Sequence, residues 1–292
     1  MRKSNIVLQG VLYAVFTLLC LAIIFPFWLL VSASLSDSGV LAAKGYQIWP
    51  SPVDFSAYAY VFKNPDRILR AYGVTAVYSV ATMILGVVLM AMIAYTISRK
   101  KLRGRGALNF YLYFTMLFGG GLVPTYIIVA KYLHLNNTIW VYILPMLINP
   151  WYVFMIRTFF AGIPEEIIES ATIDGASEYR IFFQMIMPLS KPVLATVALF
   201  TFLTGWNDWN TALIYITDEK LYSLQYLLQS IMENINQLKQ NQMAASMSGM
   251  EDIPAETVRM AMAIVVAGPA LFVFPFFQKY FVKGLTVGSV KG

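Results

Sequence analysis

Residues 169–192 read ESATIDGASEYRIFFQMIMPLSKP. They lie between two stretches of a different kind, TIWVYILPMLINPWYVFMI at 138–156 and VLATVALFTFLTGW at 193–206. The flanks carry no charged side chain, whereas the segment carries Glu169, Asp174, Glu178 and Arg180, with Pro164, Glu165 and Glu166 just before it. The flanks are material for a bilayer and the segment is material for water. The chain therefore leaves an apolar phase here and returns to it. The segment is then either a plain solvated connection or a surface shaped to touch something on that side.

Composition extends this reading to the whole chain. Its 292 residues are 59% hydrophobic and 12% charged, with a mean hydropathy of +0.65. Soluble domains carry roughly 25% charged residues, so a water-soluble globule is excluded. A bilayer core needs about 20 apolar residues per helical span, and six runs reach that length: about 9–34, 71–98, 108–131, 138–160, 192–216 and 258–281. They are too long, and alternate too poorly, for barrel strands of ~9–11 residues. Helices satisfy their own backbone groups in lipid. The expectation is an all-α polytopic membrane protein with six transmembrane helices in a single domain covering 1–292. The first run, behind Arg2 and Lys3, exceeds the ~7–15 apolar residues of a secretory signal and reads as an uncleaved anchor.

Charge sets the orientation. With the N terminus inside, the inner segments hold Arg2, Lys3, the cluster Arg99, Lys100, Lys101, Arg103 and Arg105, then Arg157, Arg180, Lys191, Lys279, Lys283 and Lys291. That is thirteen of the 21 basic residues, and short loops follow the positive-inside rule best. The net charge of +6 thus reflects membrane topology, and no nucleic-acid partner is expected. The opening segment faces the cytoplasm. Two longer segments, 35–69 and 217–256, face out, the second with one amphipathic helix. Cys20 stands alone, so no internal disulfide forms, and the lone His134 has no neighbours of metal-ligand type. There is no phosphate-binding loop and no zinc-protease motif. Gly119-Gly120-Gly121 lies inside an apolar run, where glycines loosen a helix or permit close packing.

Within the inner loop, Pro164 suits a first helical position. Glu165 and Glu166 suit the positive end of a helix dipole. Asp174-Gly175 predicts a break, because glycine accepts backbone angles that others avoid. Ser177 predicts a cap for a second helix. Tyr179, Phe182, Phe183 and Ile186 predict its one apolar face, and Pro188 and Pro192 its end. A helix, a turn and a helix with small Ser170, Ala171 and Ala176 at the bend fits a docking knob.

The string ESATIDGAS, followed by IMPLSKP, resembles the EAA loop of ABC importer permeases. Glu169, Ala171, Asp174, Gly175, Ala176 and Pro188 match that pattern, while Ser170 and Met187 depart from it. Trp206-Asn207-Asp208-Trp209-Asn210 is similar to a stretch of sugar-importer permeases. Ile48-Trp49-Pro50 with Tyr58, Val61 and Phe62 is similar to their first outer segment. The tail from Val282 to Gly292 resembles the maltose-importer type, and Phe118–Tyr126 the subgroup handling oligosaccharides from complex polysaccharides. The resemblance implies the ABC importer permease architecture in a bacterial cytoplasmic (inner) membrane. It implies a second related permease, an ATP-binding cassette ATPase dimer, an extracytoplasmic solute-binding protein and a sugar or oligosaccharide substrate. The loop at 161–191 would couple to the ATPase, and no cofactor would bind to this chain directly, since ATP is used by the partner subunits. Residues 206–210 read as a translocation path, with interfacial anchoring of Trp206 and Trp209 as the competing reading. A permease for another solute, such as an amino acid or peptide, and a channel or structural membrane protein stand as alternatives. The last of these needs no docking loop.

Overall fold

Backbone groups in lipid must find their partners inside their own segment, and the computed structural model is helical accordingly. It describes residues 2–244 and 255–288, with side-chain surroundings over 8–237 and 255–278. Among these residues the only strand-like pairing is an isolated antiparallel bridge between Ser36 and Val53. The basic tail beyond 288 lies outside the described residues.

The helices are α1 Arg2–Ser34, α2 Ser38–Lys44, α3 Ser56–Val61, α4 Pro65–Ser98, α5 Arg105–Leu117 and α6 Leu122–Tyr126. They continue with α7 Trp140–Ile143, α8 Pro150–Ala161, α9 Glu165–Ile173, α10 Glu178–Ile181, α11 Met187–Leu189 and α12 Lys191–Trp206. The last three are α13 Asn210–Tyr215, α14 Leu224–Ala244 and α15 Ala255–Gly288. A π-helical stretch, Ile127–Tyr132, extends α6, and another, Phe182–Ile186, joins α10 to α11.

Three helical segments are long and apolar enough to cross a membrane alone: Leu8–Ser34, Pro65–Ser98 and Ala255–Gln278. Three bent pairs reach the requirement when joined: Arg105–Leu117 with Leu122–Tyr132 at 113°, Trp140–Met146 with Pro150–Ala161 at 48°, and Glu178–Leu189 with Lys191–Trp206 at 82°. Each bend has a local cause. Gly119-Gly120-Gly121 interrupts the run expected over 108–131, because glycine costs about 1 kcal/mol relative to alanine in a helix, and Gly121 sits at φ +83°. A Cβ on Gly119 would meet nothing within 4 Å and one on Gly120 only Pro124. These glycines therefore loosen the helix and do not serve close packing within this chain. The run expected over 138–160 bends before Asn149, whose side chain accepts the Trp151 N–H and starts α8 with Pro150. The third bend falls at Ser190, where Pro192, in the first turn of α12, lacks the N–H that would continue the preceding helix. The run expected over 192–216 breaks again after Trp206.

Two compact units emerge. One is built from residues before Arg67 and from 228–268, the other from 67–227 and the end of α15. In the first, Trp28 packs edge-on against Trp49 at 5.1 Å and donates to the Ile48 carbonyl at 2.8 Å. Ser34 and Tyr58 share a hydroxyl hydrogen bond at 2.9 Å. The Ser56 hydroxyl and N–H hold the Asp54 carboxyl below its usual range.

The second unit holds two apolar clusters. One gathers α4, α8, α12 and the helices of the inner loop; the other surrounds the stacked rings of Tyr78 and Tyr142, 4.3 Å apart. Between α4 and α12, Tyr78 donates to the Gly205 carbonyl at 2.8 Å. A Cβ on Gly205 would stand 3.1 Å from Ser79 Oγ and 3.2 Å from Ser79 Cα, so the approach needs glycine. Gly205→Val should cost about 1–3 kcal/mol of stability in detergent, the usual cost of overpacking. Gly73→Ala, whose Cβ meets nothing within 4 Å, should leave the melting temperature level or raise it. Equal melting temperatures for Gly205→Val and the parent chain would contradict this packing.

Candidate functional site

The inner loop folds as helix, turn, helix, and its turn explains the motif residue by residue. α9 begins at Glu165, with Pro164 as the capping residue outside it rather than its first residue (ψ 132°). Its end is closed twice: Gly175 N–H bonds the Thr172 carbonyl at 3.1 Å and Ala176 N–H bonds the Ala171 carbonyl at 3.0 Å. This is a Schellman cap, which wants glycine in the left-handed region and an apolar contact across the end. Gly175 has φ +77°, and Ala171 and Ala176 both pack into the cluster of α4, α8 and α12. Ala171, Asp174, Gly175 and Ala176 are thus the parts of one turn. Ser177 caps α10 through Arg180 N–H, as its position predicts.

The second helix differs from the expected pattern. Ile181, Phe182 and Ile186 are buried, while Tyr179 is 72% and Phe183 49% exposed. The π-helical hydrogen bonding of Phe182–Ile186 shifts the register that a regular 3.6-residue repeat assumes. Pro188 does not end the helix; it lies inside α11, and the chain breaks at Ser190, whose N–H bonds the Ile186 and Met187 carbonyls. Ile173, at the tip, is 86% exposed. Glu169 faces Lys101 at 3.5 Å, and Glu165 faces Lys100 at 3.1 Å. The bonded Lys100 ammonium holds the Glu165 carboxyl below its usual range.

The second set, Trp206 to Asn210, occupies a break rather than one helix. Asn207 N–H closes α12 on the Leu203 carbonyl, and Asp208 N–H bonds the Gly205 carbonyl. The continuous helix that the sequence predicts over 192–216 is therefore absent here. Asp208 Oδ1 accepts the Thr211 N–H at 3.1 Å and so starts α13. Its carbonyl accepts the Ser223 hydroxyl at 2.9 Å. Asn207 Oδ1 accepts from Gln225 at 3.1 Å. Trp206, 4% exposed, turns inward against Phe202, leaving Asn207, Trp209 and Asn210 at the surface.

Other residues that sequence reasoning passed over complete this region. Asn137 sits at φ +53°. Its Oδ1 accepts the Thr217 and Asp218 N–H groups, and its Nδ2 donates to the Thr217 hydroxyl. Thr75 accepts the Leu224 N–H at 2.8 Å, and Tyr142 donates to the Leu221 carbonyl at 2.8 Å. A tyrosine inside an apolar run is the available signal, since a buried phenol needs a partner.

A family model described as binding-protein-dependent transport system inner membrane component matches residues 55–287. The chain belongs to this family. Protein LplC of Bacillus subtilis is 37% identical over 271 residues, spanning 92% of this chain and 90% of its own. The polygalacturonan/rhamnogalacturonan transport system permease protein YtcP of the same organism is 36% identical over 291 residues, spanning 100% and 99%. A solved bacterial ABC transporter involved in the import of the acidic polysaccharide alginate contains a chain that matches with a TM-score of 0.77. The two are 26% identical, and the match covers 95% of this chain and 98% of that one. As a member of the family, the chain is a multi-pass membrane permease of an ABC import system. It is a transport component.

At the break after Trp206, Asp208→Leu should lower stability by about 1 kcal/mol through loss of the cap on α13. Asp208→Asn, which keeps an acceptor, should stay near the parent. Thermal denaturation of the detergent-solubilised chain reads the difference, and equal losses in both would show that the charge, not the cap, matters.

Proposed function

We propose that the chain is one of two permease subunits of an ATP-driven importer in a bacterial cytoplasmic membrane, and that its cargo is a sugar or oligosaccharide. An extracytoplasmic binding protein delivers the cargo to the outer side. Two ATPase subunits supply the energy from the cytoplasm, and this chain binds no nucleotide itself. The names of the relatives, which speak of polygalacturonan, rhamnogalacturonan and alginate, support fragments of polysaccharides as the cargo class. Asn207, Trp209 and Asn210 suit that cargo, because carbohydrate rings stack on aromatic faces and hydroxyls pair with amides. Trp206 and Asp208 shape the break from within.

One observation carries the proposal. The loop of α9–α11 is anchored on the spans through Ala171, Ile181, Phe182 and Ile186, yet holds Ile173 and Tyr179 out to solvent among charged neighbours. Large apolar side chains presented on a rigid, charged knob are what a partner cleft buries. A break in the α5–α6 pair supports the second permease in the same way. The 13 residues of α5 rise about 20 Å at 1.5 Å each, short of a hydrocarbon core of about 30 Å. The glycine backbone at 119–121 is therefore inside the membrane and exposed on this chain. Irregular backbone at that depth is tolerated only against protein or a water-filled cavity.

The test uses the ATPase subunits co-expressed with the chain. Ile173→Asp touches nothing that holds the loop together, and should reduce ATPase co-purification while membrane insertion is unchanged. Gly175→Val, which forces a β-branched residue to positive φ, should do the same through the turn. Normal ATPase capture by both variants would refute the loop as the seat.

A further inference from the structure

The basic cluster after α4 serves topology, but three of its cations do more than face a membrane surface. Arg99 Nη2 lies 3.5 Å from Glu178 Oε1, Lys100 Nζ 3.1 Å from Glu165 Oε2, and Lys101 Nζ 3.5 Å from Glu169 Oε1. Tyr95, at the end of α4, donates its hydroxyl to Glu178 Oε2, and the Arg99 guanidinium stands 5.7 Å from the Tyr95 ring centre. Consecutive residues of one short connection thus engage both helices of the loop, α9 through Glu165 and Glu169 and α10 through Glu178. Arg103, in the same connection, makes no ion pair among the described residues.

We propose that Arg99, Lys100 and Lys101 are positioning residues that clasp α9 and α10 to the cytoplasmic end of α4, so that displacement of the loop moves α4 as well as α12. This rests on the reading of the loop as the ATPase seat. The loop is covalently continuous with α8 and α12 and has no chain connection to α4. The apolar cluster that α4 shares with the loop, including Tyr95 against Phe182 at 5.4 Å, fixes their separation but is non-directional; paired charges on both loop helices add direction. Isolated exposed ion pairs contribute little to folding, so the effect falls on transmission of motion and leaves assembly intact.

The experiment uses the complete complex in proteoliposomes, with a bimane fluorophore on a cysteine at Arg70, near the outer end of α4, or at Leu213 in α13. Mg-ATP with vanadate is the probe. In the parent, trapping should change the emission at both positions. Lys100→Glu and Glu165→Lys should each shrink the response at Arg70 about two- to fivefold, the scale of a lost exposed pair, and leave that at Leu213. The combined variant, which restores the pair with the charges exchanged, should recover the Arg70 response. Arg103→Glu, which removes the same charge from the same connection, should not alter it. An undiminished Arg70 response in the single variants, or a combined variant no better than the weaker single, overturns the clasp. Failure of the parent chain to co-purify with the ATPase would instead remove the seat on which the clasp depends.

Discussion

A loop can drive membrane helices only if it is packed against them more firmly than it is held by water, and one apolar cluster meets that condition here. Ile168, Ala171, Ile181, Phe182 and Ile186 of the loop share a core with Met90, Ala94 and Ile97 of α4, Ile156 and Phe160 of α8, and Val197 of α12. Each fully buried aliphatic or aromatic side chain contributes roughly 1.5–3 kcal/mol. Four of these loop residues are of that size, Ile168, Ile181, Phe182 and Ile186, and together they hold the loop far more firmly than its exposed ion pairs. The division of labour is clear: apolar burial fixes the knob to the spans, charges set its direction, and the exposed tip is free for a partner.

The break after Trp206, in the same unit, poses a different problem. The chain breaks its helix at Asn207–Trp209 beside buried residues, so the backbone groups freed there need partners. Tyr78 donates to the Gly205 carbonyl, Ser223 to the Asp208 carbonyl, and Asp208 accepts the Thr211 N–H, while Thr75 and Tyr142 hold the adjoining Leu224 N–H and Leu221 carbonyl. Asn137 ties the neighbouring connection to residues 215–218. The polar residues of the break are therefore largely occupied in holding it open, and only Asn207, Trp209 and Asn210 present themselves to solvent.

The sequence made much of this legible, for reasons that are physical. Apolar run length located the long helices α1, α4 and α15, because a bilayer imposes a minimum length. Asp174-Gly175 located the turn, because a left-handed residue at a helix end is a local requirement. Tyr179 and Phe183 were misassigned to the buried face, because a π-helical stretch changes the register and leaves no mark in residue type. The break after Trp206 was missed, because its hydrogen-bond partners, Ser223 and Tyr78, come from distant segments. The bend at 119–121 was half visible: three glycines announce a weak helix, but not the 113° angle that results.

The central claim is that the loop and the cytoplasmic end of α4 move as one body when the ATPase closes. Spin labels at Glu166 and Arg103, both exposed, report that distance directly by double electron–electron resonance in the assembled complex. A labelled ATPase pair confirms closure in the same preparation. The account predicts one distance distribution, unchanged between the nucleotide-free and the vanadate-trapped states. A shift in that distance accompanying ATPase closure would contradict it.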